Sequence, residues 1–230
     1  MFMEHLSNGL TLGSVYALTA IGFTMVYGII GMTNFAHGDI YMMGAFFSLT
    51  ALNLFNMPIV AAFIIGMIAA SILGIILAKF AYSPIFEAPR INLLLAAVGA
   101  GMFLENFAML VWGPETQAFP KSVVNEMYNF AGVRISKIQI IIIVTTVVLV
   151  VILSYIVSKT RLGRAMRCVS QDMDASRLMG INTNRIVYFT FGLGSALGAA
   201  AGILVGIYYN AVFPMMGYTP GLKVFVSAVI

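Results

Sequence analysis

The sequence predicts an all-α fold, a polytopic transmembrane helical bundle. Two observations predict it and a third orients it. Of the 230 residues, 61% are hydrophobic and 9% are charged, where a soluble domain carries about 25% charged residues. The apolar residues fall into long runs at 9–30, 41–55, 58–80, 91–112, 138–158 and 187–210, with a seventh beginning near Thr219. About 20 helical residues cross ~30 Å of hydrocarbon, so residues 1–230 hold six to seven spans in one transmembrane domain and leave no room for a separate soluble one. Finally, the linker 159–186 gathers Lys159, Arg161, Arg164, Arg167, Arg177 and Arg185 against Asp172 and Asp174. Such a basic excess marks a cytoplasmic loop.

Counting back from that loop puts the N-terminus outside. Met1 to Asn8 carries Glu4 and no Lys or Arg, so it lacks the basic region of a cleavable signal peptide and the first span is expected to be retained. That span carries Gly9, Gly13 and Ala17 at four-residue spacing. Its Tyr16 and Tyr27 either line a path or pack with their hydroxyls satisfied locally.

Residues 31–40 fit the scheme poorly. Gly-Met-Thr-Asn-Phe-Ala-His-Gly-Asp-Ile would be an inside loop, yet it holds no Lys or Arg, and the run after it is only about 15 residues, short for a span. Two readings stay open. Either this is a solvated loop, or it is a broken, re-entrant helix with Asn34, His37 and Asp39 inside the bundle. Gly31 and Gly38 permit such a break, and the exposed backbone groups of a discontinuous helix bind zwitterionic solutes.

The run 58–80 carries a second small-residue stripe, Gly66, Ala70, Gly74 and Ala78. Stripes of this kind let helix backbones approach closely in lipid, and packing is their expected role. In 91–112, Glu105 lies seven residues before Trp112, about 10 Å deep at 1.5 Å per residue if Trp112 anchors at the interface. Glu105 either lines an aqueous path or snorkels to the outer surface. The 113–137 linker is outside, with Lys121, Arg134 and Lys137 against Glu115 and Glu126. The last complete run carries a third stripe, Gly194, Gly198, Gly202 and Gly206. The chain ends in Val-Ser-Ala-Val-Ile230 within an apolar run and reads as a fragment of a longer protein.

In the basic loop, Gln171 to Met179 has helical composition. Ala175, Leu178 and Met179 form an apolar face, Asp172, Asp174 and Arg177 a polar one, and Gly180 is placed to stop the helix. A short amphipathic helix there rests on the membrane, docks into a groove on a soluble partner, or simply connects two spans. Cys168 is the single cysteine, so no internal disulfide forms, and beside Arg167 it is expected to be inert.

Enzyme chemistry finds no support. The two histidines, His5 and His37, form no H-E-x-x-H; no G-x-S-x-G occurs, and no G-x-x-x-x-G-K-[ST] occurs to hold ATP. Gly38-Asp39 resembles part of an intramembrane aspartyl protease motif, but Ala36 stands where that motif needs glycine, and a second aspartate in another span is missing. The net charge of +4 flanks apolar spans, so it signals topology rather than nucleic-acid binding. No cofactor or metal is expected. Polar groups at membrane depth are functional candidates by default, which selects Asn34, His37 and Asp39.

These residues resemble a known family. Thr11-Leu-Gly-Ser-Val-Tyr-Ala-Leu18, then Tyr27-Gly-Ile-Ile-Gly-Met-Thr-Asn-Phe-Ala-His-Gly-Asp-Ile-Tyr-Met-Met-Gly44, are similar to the branched-chain amino-acid ABC transporter permeases of the LivH type. Arg161-Leu-Gly-Arg-Ala-Met-Arg167 and Met179-Gly-Ile-Asn182 match the same family in the loop, and the resemblance covers essentially the whole chain. It implies a bundle of about eight spans. It also implies an ABC importer in a bacterial inner membrane, in which this permease pairs with a second related permease, two ATP-binding subunits and a periplasmic substrate-binding protein. The substrate pathway would involve Tyr16, Tyr27, Asn34, His37, Gly38 and Asp39. Such importers carry a cytoplasmic E-A-A-x-x-x-G coupling helix, and Asp174-Ala175-Ser176-Arg177-Leu178-Met179-Gly180 keeps that spacing with Asp for Glu and Ser for the second Ala. Family members also carry urea, short amides and other amino acids. A secondary amino-acid transporter, with Asp39 or Glu105 as its ion-linked group, is the alternative from another class.

Overall fold

The computed structural model describes residues 2–31, 33–86, 88–119, 127–130 and 133–229. The helices are α1 (Phe2–Ile30), α2 (His37–Phe55), α3 (Ile59–Leu77), α4 (Arg90–Trp112), α5 (Lys137–Lys159), α6 (Arg161–Gln171), α7 (Met173–Leu178), α8 (Thr183–Tyr209) and α9 (Tyr218–Val229). A π turn (Ala78–Tyr82) and a 3-10 turn (Ser83–Ile85) prolong α3. Every apolar run of the sequence is a helix. Five of them, α1, α3 with its extension, α4, α5 and α8, are long and apolar enough to cross a membrane. α2 and α9 are shorter and begin inside the bundle. In the outer linker, β1 (Met127–Phe130) and β2 (Val133–Ser136) add a small antiparallel hairpin. Lys121 and Glu126 lie outside the described residues, as does the side chain of Arg134.

The two ends of the bundle are marked by side-chain ties. At one end, Gln139 of α5 and Tyr208 of α8 both donate to Asn8 Oδ1 of α1, at 2.5 and 3.4 Å. At the other end, Ile29 of α1 lies beside Val157 of α5 and Met166 of α6. The N-terminus and the basic loop are therefore at opposite ends, as the charge pattern predicts.

α8 is the centre of the fold. Of its most apolar stretch, 83% is buried, against 39% or less in the other four long helices. Lipid gives helices no hydrophobic reason to associate, so close backbone approach does the work, and the α8 glycines supply it. A Cβ at Gly194 would lie 2.7 Å from the Gly22 carbonyl of α1, and one at Gly198 3.1 Å from His37 Nε2 of α2. One at Gly202 would strike the Tyr41 carbonyl. The α3 stripe also packs, with Gly66 beside Ser48 and Ile203, and Gly74 beside Ser195. The α1 stripe differs. Gly9 and Gly13 have nothing within 4 Å of a built Cβ, and with Ala17 they lie on an exposed face. The same spacing thus gives packing in two helices and an open face in the third.

The basic loop holds more structure than expected. Thr160 caps α6 by accepting from the Gly163 amide at 3.1 Å, and α6 packs Gly163, Met166 and Val169 inward with Cys168 exposed. Residues 171–179 are not one helix. Asp172 takes an extended conformation (φ −154°, ψ 111°) and its carboxylate accepts from the Asp174 and Ala175 amides, each at 2.9 Å. A short carboxylate side chain in that position is a strong N-cap, so α6 ends there and α7 begins.

Candidate functional site

Of the two readings left open at 31–40, the structure shows the interrupted helix. Gly31 ends α1 in the left-handed region (φ 69°), with its amide on the Tyr27 carbonyl at 2.8 Å. The chain turns back and α2 starts at His37. Ala36 offers α2 no side-chain cap, so the first amides of α2 are unmatched by any side chain of that residue. Asn34, His37 and Asp39 are buried, at 2%, 2% and 7% exposure. The solvated-loop reading is therefore excluded for these three side chains.

Each is held differently. Asn34 Oδ1 accepts from the Tyr82 hydroxyl at 2.7 Å, and Tyr82 stacks on Phe191 with ring centroids 5.2 Å apart. Among the described residues Asn34 Nδ2 has no partner. The His37 ring fills the gap left by Gly22 and Gly198, meets Phe23 edge-on at 5.9 Å and bonds the Thr19 backbone, while its Nε2 has no partner among the described residues. Asp39 and Glu105 of α4 face one another in the wall of one cavity. Glu105 thus turns inward rather than snorkelling. Trp112 also turns inward: its Nε1 donates to Thr50 Oγ1 at 2.7 Å, tying the outer ends of α4 and α2.

Asp39 and Glu105 line a cavity of about 170 Å³ with Gly38, Gly101, Gly217 and Tyr218. The starts of α2 and α9 meet at its edge, where a Cβ on Gly38 would lie 2.5 Å from the Gly217 carbonyl oxygen. A second cavity of about 210 Å³ lies between α1, α2, α8 and α9, and Tyr16, Tyr41 and Tyr209 line it. Tyr27 lines neither cavity; it is 37% exposed on α1.

α7 presents the other candidate set. Arg177 Nε donates to Thr183 Oγ1 at 3.1 Å, and its guanidinium is 3.5 Å from Asp174. Ser176 is buried. Gly180 closes the helix at φ 82°, its amide on the Arg177 carbonyl and the Ile181 amide on the Ser176 carbonyl, both at 3.0 Å. This double bond to the last turn is a Schellman closure. Ala175 is exposed, and Leu178 and Met179 project into solvent at 90% and 83% exposure.

The sequence matches the family "Branched-chain amino acid transport system / permease component" over residues 5–230. The chain belongs to this family. Among curated relatives it is 39% identical, over 241 residues, to the high-affinity branched-chain amino acid transport system permease protein BraD of Pseudomonas aeruginosa, covering 100% of this chain and 78% of that protein. It is 37% identical to the permease protein LivH of Escherichia coli K12, with the same coverage. A probable branched-chain amino acid transport permease of Methanocaldococcus jannaschii shares 22% identity over 98% of this chain and 72% of its own. The permease is thus the multi-pass membrane component of a transport system, and the relatives are named as transport permeases rather than enzymes.

Three residues of the permease were not selected from the sequence as partners of the broken helix: Tyr82, Glu105 and Trp112. Each is a polar group within or at the end of an apolar run, a signal that was present. Tyr82 gives a direct check. Tyr82→Phe leaves Asn34 with neither end of its amide satisfied, so stability should fall by about 1–3 kcal/mol. Thermal unfolding of the detergent-solubilised protein reads this. An Asn34→Ala background should remove most of the difference, and an equal loss there would show that the Tyr82 hydroxyl acts elsewhere.

Proposed function

We propose that this chain is the permease subunit of an ABC importer that carries branched-chain, hydrophobic amino acids across a bacterial inner membrane. It works with a second related permease, two ATP-binding subunits and a periplasmic substrate-binding protein. Residues 1–230 act as one transmembrane permease domain, with 159–186 as its cytoplasmic coupling loop. The observation that carries the reading is the apolar tip of α7. Leu178 and Met179 are exposed at the end of the molecule marked by basic residues, beyond a helix closed at both ends by its own caps. A rigid helix with an exposed apolar tip is built to enter a groove on another protein.

In this mechanism the binding protein releases solute at the outer mouth, and the solute enters a cavity at the start of α2, beside Asn34, His37, Gly38 and Asp39, with Tyr16 and Tyr27 along the path. ATP binding closes the ATPase pair. Asp174, Ala175, Ser176, Arg177, Leu178 and Gly180 transmit that closure to α8, and the cavity opens inward. The difference in ATP affinity between the two ATPase arrangements drives the shift. The relatives' names favour branched-chain amino acids; urea, short amides and other amino acids are the neighbouring substrate classes.

One observation favours a second reading, an ion-coupled transporter: the Asp39–Glu105 pair at membrane depth. Uptake in proteoliposomes separates the two. Leucine accumulation that needs ATP and the partner subunits supports the importer. Accumulation by this chain alone, driven by a proton or sodium gradient, supports the other. For the pathway, a cysteine at Asn34 (Asn34→Cys) should react slowly with an impermeant reagent from the cytoplasmic side. Full, rapid labelling there would remove 31–40 from the pathway.

A further inference from the structure

The end of α3 departs from a regular helix where it meets the interrupted segment. Its small-residue stripe, Gly66, Ala70, Gly74 and Ala78, advances four residues a step. At 3.6 residues per turn each step drifts about 40° around the helix. Continued, that drift carries residue 82 off the buried face. The π turn at Ala78–Tyr82 prevents this, because the Ser83 amide reaches back five residues to the Ala78 carbonyl and the wider turn takes the drift back. Tyr82 is consequently buried, at 0% exposure. Single π turns inside helices are frequent at functional sites.

Tyr82 joins α8 to the start of α2. Its ring stacks on Phe191 of α8, with centroids 5.2 Å apart, and its hydroxyl donates to Asn34 Oδ1 at 2.7 Å. Three residues earlier on α8, the Tyr188 hydroxyl bonds Ser83 Oγ at 3.0 Å, so α8 holds both neighbours. On the other side, the Asn34 carbonyl accepts from the His37 amide at 3.2 Å, and the position of Asn34 therefore fixes where α2 begins. At the far end of the same stretch of α8, Arg177 of α7 donates to Thr183, the first residue of α8. Thr183 and Phe191 are eight residues apart on one helix, about 12 Å. Asn34, Tyr82 and Phe191 are 2%, 0% and 0% exposed, so residues 1–230 already close over these contacts.

We propose that Tyr82 is the positioning residue through which movement of α8 reaches the interrupted helix. The proposal rests on the importer reading above, with α7 as its coupling helix, and deepens it. α8 also touches α2 directly, at Gly198 against His37 and Gly202 against Tyr41, but packed helices can slide past one another by small amounts. A hydrogen bond is made or broken, and coupling between distant sites travels through elements with two discrete arrangements. The Tyr82–Asn34 bond is such an element. Among the described residues Asn34 Nδ2 has no partner, so Tyr82 alone among their side chains holds this amide. When ATP binding displaces α7, the start of α8 moves with it, Phe191 carries Tyr82, and Asn34 is drawn along. That shifts His37 and the start of α2 beside the cavity of Gly38 and Asp39.

The test uses the complete transporter in proteoliposomes with Tyr82→Phe, which keeps the ring on Phe191 and removes the hydroxyl. Leucine uptake should fall at least ~10-fold while binding-protein-stimulated ATPase activity stays within about twofold, so the ATP hydrolysed per leucine rises at least ~5-fold. A merely structural role lowers both activities together, through the fraction of folded complex, and leaves that ratio unchanged. Phe191→Leu cuts the same link from the α8 side and should raise the ratio too, which gives the readout should Tyr82→Phe fail to assemble. A second arm needs no transport. In the detergent-solubilised complex, Arg177→Ala loosens the start of α8 and should speed hydrogen exchange of the amides at 34–37 at least ~3-fold when Tyr82 is present. In a Tyr82→Phe background the same substitution should change it less than ~1.5-fold. An unchanged ratio of ATP to leucine overturns the proposal, and so does an equal exchange response in both backgrounds. Failure of the unsubstituted complex to take up leucine with ATP sinks the importer reading instead, and the exchange arm then decides the Tyr82 link alone.

Discussion

Valine at Gly38 or at Gly217 is expected to abolish uptake, and valine at Gly99 to leave it intact. At Gly38 a Cβ would lie 2.5 Å from the Gly217 carbonyl oxygen and 3.4 Å from the Gly221 Cα, and at Gly217 it would strike the Gly38 carbonyl. All of these are backbone atoms, so no rotamer change relieves the clash. Overpacking costs ~1–3 kcal/mol even where side chains adjust. Here the starts of α2 and α9 must separate, and with them the cavity that holds Asp39 and Glu105. Gly99, exposed on α4, has nothing within 4 Å of a built Cβ, so a side chain there meets only lipid. Uptake in proteoliposomes and the thermal midpoint in detergent read the contrast. Equal losses at all three positions would mean that glycine matters for helix insertion and not for the α2–α9 crossing.

The second large effect is expected in the basic loop. Arg177→Glu combined with Gly180→Pro should lower uptake and binding-protein-stimulated ATPase activity together, by at least ~10-fold, with insertion unchanged. The Arg177 substitution removes the bond to Thr183, the first residue of α8, and places two acids three residues apart with Asp174. Proline at 180 cannot take φ 82° and donates nothing to the Arg177 carbonyl. The tip bearing Leu178 and Met179 then loses its fixed direction, and motion in a docked ATPase no longer reaches α8. Normal uptake by this variant would remove α7 from the coupling path. The Asp174–Arg177 ion pair itself contributes little, since both groups are largely solvated, so Asp174→Asn should be nearly silent.

Much of this architecture was legible in the amino acids because membrane solvent imposes strong rules. The apolar runs located every long helix, and the missing charges in 31–40 raised an interrupted helix before His37 as one of two readings. What stayed hidden depended on distant partners. Asp39 and Glu105 each stood out as acids at depth, but their meeting in one cavity needs α4 to lie beside α2, which no local pattern states. Asp172 looked like part of a helix because its residue type is tolerated there; only its extended backbone reveals a cap. The stripes at Gly9 and Gly202 have the same spacing, yet Gly202 is sealed against Tyr41 and Gly9 faces open space. Spacing records that a backbone can be approached, not which helix comes.

The burial of α8 has a consequence for how the protein is made. The ribosome delivers α1, α2 and α3 well before the helix that joins them. Until Thr183 to Tyr209 enters the membrane, the faces of α1 and α3 around Gly22 and Gly74 have nothing to close on, and His37 and Tyr41 lack the wall that covers them. In lipid no hydrophobic force draws the early helices together in the meantime. Biogenesis therefore passes through an interval in which α2 and α3 can already pack through Gly66 and Ser48, while the central contacts that α8 supplies are still missing. Nascent chains arrested before Thr183 should be the form that membrane proteases clear.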